Sequence, residues 1–362
     1  MISAMSAEGA LRVAIRCDAR PQTGVGHLMR CLALSEELRA RGHDVVFLGE
    51  VVAVPWAQQL VAQTGMPWRP APTEPETLAA VVMGAGCTAA VLDGYDLPVN
   101  TGQTLRDKGI RVLSLLDGGF GAGQDADVYL DQNLLADASR AAVAQGRVFL
   151  AGLEHTLLRN QVRLHRPVEH RDQPLPRTSG SRSVPRVLAV FGGTDPAGAA
   201  PLVAPLILAT GRPVNLEVVA ADNRSAIALE AVAGTARPGQ SLTVLPPTSD
   251  LASLALGADL VVSAAGSATW ELLAVGLPTA LACVADNQAP AYRRAVAEGL
   301  VVGLGTVAEL SEDAAARDLA VRVLRDDLAD HAGRWTRRQR GLDRIDGRGR
   351  ERVVDAFLGA RR

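Results

Sequence analysis

The stretch RCDARPQTGVGHLMRCLAL, Arg16–Leu34, decides the fold. It reads as the end of an apolar strand, a loop hinged on Gly24 and Gly26, and the start of a helix. Leu11–Cys17 supplies the strand. Leu28, Cys31, Leu32, Ser35 and Leu38 fall on one helical face, and Gly42 stops the helix. At the hinge stands a titratable ring, His27, where a phosphate loop ordinarily carries a small residue or a lysine.

Outward from this unit the pattern repeats. Asp44–Gly49, Ala89–Asp93, Ile110–Leu116 and Asp127–Leu130 are apolar runs separated by helical patterns. Such alternation predicts a parallel sheet covered on both faces. The segment 166–185, RPVEHRDQPLPRTSGSRSVP, breaks it with prolines, charges and Ser/Gly, and reads as a linker. The alternation then restarts with Arg186–Phe191, Val214–Ala220, Leu242–Leu245, Asp259–Ser263 and Thr279–Val284. The expectation is α/β, two Rossmann-like doubly wound domains with a cleft between them. The first spans 1–165 and the second 186–330. A C-terminal helical tail, 331–362, can return to the first. Ligands of such domains bind at the carboxyl ends of the strands.

The bulk numbers fit this plan. A chain of 362 residues is comfortable for two domains, and 48% hydrophobic with 21% charged residues is a globular composition. The net charge of -2 gives no electrostatic footprint for nucleic acid. The basic tail RWTRRQRGLDR reads as a solvated helix with Trp335 packed inward. Cys17, Cys31, Cys87 and Cys283 show no metal or redox spacing and read as reduced, buried thiols. The first ten residues lack a positive charge and an apolar run, and no stretch approaches the ~20 apolar residues of a membrane span. A cytoplasmic protein without a transmembrane segment is expected.

Three loops carry chemistry, each after a predicted strand. In QTGVGHLMR, residues 22–30, Gly24 and Gly26 permit close backbone approach and the helix start favours an anion. The loop lacks the dinucleotide fingerprint and the Walker lysine. A neutral His27 there can take a proton from water or a hydroxyl. In FGGTDPAG, residues 191–198, Gly192, Gly193 and Thr194 can face a diphosphate. Asp195-Pro196 reads as a helix cap followed by the first helical residue. In SAAGSATWELLAVGLP, residues 263–278, Gly266 gives the turn, Ser267 caps a helix, and Glu271 lies one turn in, where it can accept ribose hydroxyls. Asp286, Asn287 and Gln288 follow the next strand. Tyr95, in DGYD at 93–96, ends a strand on the His27 side. No histidine has metal-ligand spacing and no nucleophile elbow is present.

GVGHLMRCLALSEELRARGHDVVFL, VLDGYDL, LDQN, VFGGTDP, SAAGSATWE and ADNQ occur in one order and at comparable spacing. Together they resemble the UDP-sugar hydrolases of the pseudaminic acid pathway, UDP-2,4-diacetamido-2,4,6-trideoxy-β-L-altropyranose hydrolases, and the spore-coat polysaccharide proteins grouped with them. The likeness runs over roughly residues 11–305. It implies the two-domain glycosyltransferase-B architecture and metal-independent, inverting release of UDP with water as nucleophile. It also implies His27 as the catalytic histidine of a G-x-G-H motif, Tyr95 as the tyrosine of a D-H-Y-G stretch, Asn287 and Gln288 as a pair facing the sugar, and Glu271 as the ribose carboxylate. Here D-H-Y-G reads Asp93-Gly94-Tyr95-Asp96. The expected function is cleavage of a UDP-activated deoxy amino sugar at the anomeric carbon, with no cofactor. The alternative is a glycosyltransferase of the same fold, with a hydroxyl acceptor as second partner. A non-catalytic nucleotide-sugar binder would have no need of His27.

Overall fold

The computed structural model describes residues 10–136, 147–167 and 184–359. Most of the expected linker, 168–183, lies outside them. Two parallel sheets form the molecule. The first holds β1 (Arg12–Cys17), β2 (Asp44–Leu48), β3 (Trp68–Arg69), β4 (Ala89–Asp93), β5 (Arg111–Leu115), β6 (Val128–Asp131) and β7 (Val148–Ala151) in the order β3-β2-β1-β4-β5-β6-β7. The second holds β8 (Arg186–Val190), β9 (Val214–Val219), β10 (Gln240–Leu245), β11 (Leu260–Ala264), β12 (Thr279–Cys283) and β13 (Val302–Thr306) in the order β10-β9-β8-β11-β12-β13. Every pairing is parallel, with β1 against both β2 and β4, and β8 against both β9 and β11.

Burial explains the runs. The inner residues of β1, β8 and β11 are buried on both faces, so their sequences show no alternation. Three strands escape the sequence reading. β3 is two residues long, β7 is half-buried, and β13 reads VGLGT, whose glycines look like a turn.

Helix Gly26–Ala40 buries more than the expected stripe. Ala33, Leu34 and Glu37 are buried too, because a second layer covers its outer side. That layer is helix Gly349–Gly359. Its Val353, Val354 and Phe357 belong to the same apolar cluster as β1 and the first helix. Arg350 reaches Glu36 at 2.9 Å, Glu37 at 3.2 Å and Asn160 at 2.6 Å. The last described helix thus packs against the half that holds β1.

The preceding helix, His331–Arg344, departs from expectation. Its buried face is Arg334, Arg338, Gly341 and Leu342, and Trp335 is only half-buried, with Arg338 over its ring at 5.9 Å. The arginines are tolerated because backbone carbonyls receive them: Arg334 donates to Asp327 and Arg338 to Gly276. All four cysteines are buried and none forms a disulfide. No described helix is long and apolar enough to cross a membrane.

Candidate active site

In each sheet the strand order reverses beside the first strand, at β1/β4 and at β8/β11. Loops diverge there and leave a crevice beyond the carboxyl ends. The two crevices face each other and form one cavity of about 970 Å³, at the upper end of the ~300–1,000 Å³ typical of ligand sites.

His27 lies in the first turn of helix Gly26–Ala40, after the loop that leaves β1. Its ring lines the cavity and is 5% exposed. Nδ1 lies 2.5 Å from Asp93 Oδ1 at the end of β4. A ring N–H donating to the carboxylate satisfies that contact, so Asp93 anchors the ring through Nδ1. Arg30, one turn along the same helix, clasps Asp93 through Nε at 2.7 Å and Nη2 at 2.5 Å. Burial pushes the Asp93 carboxyl up, but the charge of Arg30 and then His27 outweigh it, and the group is held well below the usual carboxylate range. Asp93 is therefore a permanent anion that fixes the tilt of the His27 ring.

Tyr95 stands edge-on to the His27 ring, centroids 4.5 Å apart. Its hydroxyl donates to Asp117 Oδ2 at 2.8 Å. Burial, then the Asp117 charge, raise that hydroxyl well above its ordinary value, so it remains a donor. Asp117 was not among the sequence candidates. It follows β5 in the ordinary-looking run LLDGG, and only the fold brings it to His27.

The second half contributes its own loops. Gly192 has φ +76° and open space around it. Gly193 serves close approach: a Cβ there would meet Trp56 at 2.5 Å and Val25 at 2.7 Å. Trp56 Nε1 donates to the Gly193 carbonyl at 3.2 Å, and Thr194 Oγ1 to the Pro21 carbonyl at 3.0 Å. Asp195 is a cap, though not of the expected kind. It adopts φ +39° and accepts from the amides of Ala199 and Ala200, so the helix starts at Ala199 and Pro196 precedes it. Ser267 occupies the N-cap position of helix Ala268–Ala274 but makes no capping bond, because its backbone is already helical. Its Oγ faces Gly26, where a Cβ would meet it at 2.6 Å.

Glu271 is buried and lines the cavity 3.5 Å from Arg159 Nη2. Arg159 also donates to the Ser249 carbonyl at 2.9 Å, bridging the two halves. Nothing in its sequence surroundings marks it. Asn287 and Gln288 lie in a short 3-10 turn after β12 and line the same cavity, as do Gly24, Gly26 and Gly266. All twelve sequence candidates therefore converge on one cavity.

Cys17, Cys31 and Asp93 place ligand atoms within 4.8 Å of one another, the one such group among the described residues. Arg30 already occupies the Asp93 oxygens, so a cation would face a guanidinium. This donor set fits no metal.

No family model matches the chain, and no curated protein matches it. Solved structures do. Acinetobacter baumannii MurG superposes with a TM-score of 0.66 at 16% identity, covering 96% of this chain and 99% of that one. A glycosyltransferase from Rickettsia africae gives 0.58 at 9% identity, over 97% and 99%. Arabidopsis thaliana UGT89C1, solved with UDP-L-rhamnose, gives 0.55 at 11% identity, over 96% and 99%. The fold is the two-domain glycosyltransferase-B fold. At these identities the likeness speaks for architecture.

Proposed function

We propose that this protein cleaves a UDP-activated sugar at its anomeric carbon and passes the sugar to an oxygen nucleophile aimed by His27. The single observation that carries this is the His27–Asp93–Arg30 arrangement in the lining of the cavity: a buried imidazole anchored through Nδ1. In the first half, the nucleophile's O–H donates to Nε2. As its oxygen attacks, the imidazole takes the proton and Asp93 stabilises the imidazolium. In the second half, the loops at Gly192–Thr194 and Gly266–Ser267 offer backbone amides to the departing diphosphate. Glu271 accepts from the ribose, and Asn287 and Gln288 face the sugar. Roles for Tyr95, Gly24 and Gly26 follow from position, Tyr95 orienting the sugar and the glycines letting the phosphates approach.

Transfer to a hydroxyl acceptor is the first reading. Structures named as glycosyltransferases share the fold across nearly the whole chain, and the cavity is large enough for a donor and a second molecule. Hydrolysis of a UDP-activated deoxy amino sugar is the second, favoured by the six motifs quoted above, GVGHLMR and ADNQ among them.

Incubation with a panel of UDP-sugars, with and without hydroxyl acceptors, separates them. UDP release only with acceptor establishes transfer, and release in plain buffer establishes hydrolysis. His27→Asn is expected to cut turnover at least about a hundredfold while leaving UDP affinity by calorimetry unchanged. Undiminished turnover in that variant removes His27 from the chemistry.

A further inference from the structure

Asp117 is a polar side chain of the cavity, beside His27, to which the proposed function gives no task. It sits in a tight turn: its amide donates to the Phe120 carbonyl at 3.2 Å and its carbonyl accepts from Phe120 at 3.0 Å. Gly121 closes the turn at φ +81°, and a Cβ there would meet the Leu115 carbonyl oxygen at 2.5 Å. The carboxylate is thus fixed at both ends, by this turn and by the Tyr95 hydroxyl. Its Oδ2 faces His27 Nε2 at 3.8 Å and Arg30 Nη1 at 4.0 Å, and its side chain is 28% exposed toward the cavity.

A separation of 3.8 Å is too long for a direct hydrogen bond. It is the span over which an intervening oxygen bonds to both sides. With His27 acting as the base, as proposed above, its Nε2 accepts, and so does the Asp117 carboxylate. Whatever fills the gap must bring a donor hydrogen to each.

We propose that Asp117 is the second acceptor of the nucleophile's subsite, which therefore selects nucleophiles with two donor hydrogens. The inference rests on His27 aiming the nucleophile. The attacking O–H donates to His27 Nε2, and a second O–H donates to Asp117 Oδ2. Water carries both on one oxygen. A vicinal diol, the motif of a carbohydrate acceptor, carries them on adjacent oxygens. A monohydric alcohol carries one and leaves the carboxylate's facing lone pair unmet. In the step itself the nucleophile's oxygen bonds to the anomeric carbon and its proton passes to Nε2. The bond from that carbon to the phosphate oxygen breaks, and its electron pair leaves with UDP. Asp117 keeps its hydrogen bond throughout and takes no proton.

Two measurements test this. The first needs no substrate: a crystal structure of the unliganded protein showing ordered solvent. A water within about 2.6–3.2 Å of both His27 Nε2 and Asp117 Oδ2, lost in Asp117→Ala, is expected. A dry gap, or a water bonded to only one of the two, overturns the proposal. The second uses whichever of UDP-N-acetylglucosamine, UDP-N-acetylgalactosamine and UDP-glucose the wild type turns over, with equimolar methanol or ethylene glycol. Wild type is expected to form the glycol adduct at least about tenfold faster than the methyl glycoside. Asp117→Ala should lower turnover about tenfold to a hundredfold, the worth of a hydrogen bond to a charged group, and equalise the two alcohols. Free sugar as product identifies water as the occupant, and the adduct identifies a diol. Equal use of both alcohols by wild type overturns the proposal. If none of these sugars is cleaved, the proposed function fails for them, and the solvent structure still decides the subsite.

Discussion

Asp93 is the residue on which the site's geometry depends, and its energetics are calculable in sign. Its side chain is fully buried and paired with Arg30 and His27. Removing one partner of such a pair leaves a buried charge uncompensated, at about 3–5 kcal/mol. Asp93→Ala is therefore expected to lose about that much stability in urea denaturation at neutral pH. Its folded-state pKa is depressed relative to the unfolded chain, so this stabilisation is complete above the ordinary carboxylate pKa of about 3.9 and fades as pH falls through the lowered folded value. The gap between wild type and variant should narrow in acid, and a gap that widens there contradicts the assignment. His27 was legible in the sequence because a ring at a glycine hinge is conspicuous. Asp93 appeared only as the end of an apolar strand and the first letter of DGYD, with no role of its own, and Asp117 and Arg159 not at all. Their partners are distant in the chain, and no local period records a contact made across a sheet or a cleft.

At the level of elements, the glycine loops divide their work. Gly193 is required by packing, for Trp56 and Val25 leave no room for a methyl group. Gly192 is required by its backbone, φ +76°, with nothing within 4 Å of a Cβ. Gly193→Ala should cost about 1–3 kcal/mol by overpacking, and Gly192→Ala about 1–2 kcal/mol through the left-handed conformation. Thermal unfolding measures both. Gly193→Ala should also weaken the contact between the halves, since Trp56 and the Gly193 carbonyl must part. Fully buried parallel strands were readable because each is a short apolar run bounded by turns. β13 was missed because glycine carries no strand signal, and the caps at Asp195 and Ser267 were misjudged because capping depends on backbone angles that residue type does not dictate.

Over the whole molecule, helix Gly349–Gly359 returns to the first half and packs on helix Gly26–Ala40. Phe357 is fully buried against the first helix, more than three hundred residues away in sequence, and Arg41 pairs with Asp355 at 2.5 Å. Phe357→Ala is expected to cost about 3–5 kcal/mol. The loss should appear as faster hydrogen exchange in helix Gly26–Ala40, while helices packed on the second sheet, such as Ala314–Ala329, keep their protection. Uniform loss across both halves contradicts this division. The two-sheet plan was legible because it repeats one alternation twice; the seat of the last helix was not, because a basic amphipathic pattern does not name the surface it covers. The central claim is that a UDP-sugar spans the crevice, its nucleotide on the second sheet and its anomeric carbon before His27. A crystal structure of the protein with UDP tests it most directly. The account predicts ribose hydroxyls on Glu271, the diphosphate at the Gly266–Ser267 loop, and the terminal phosphate on the side of His27 Nε2. UDP bound outside the cavity, or with its ribose in the first half and its phosphates turned away from His27, contradicts it.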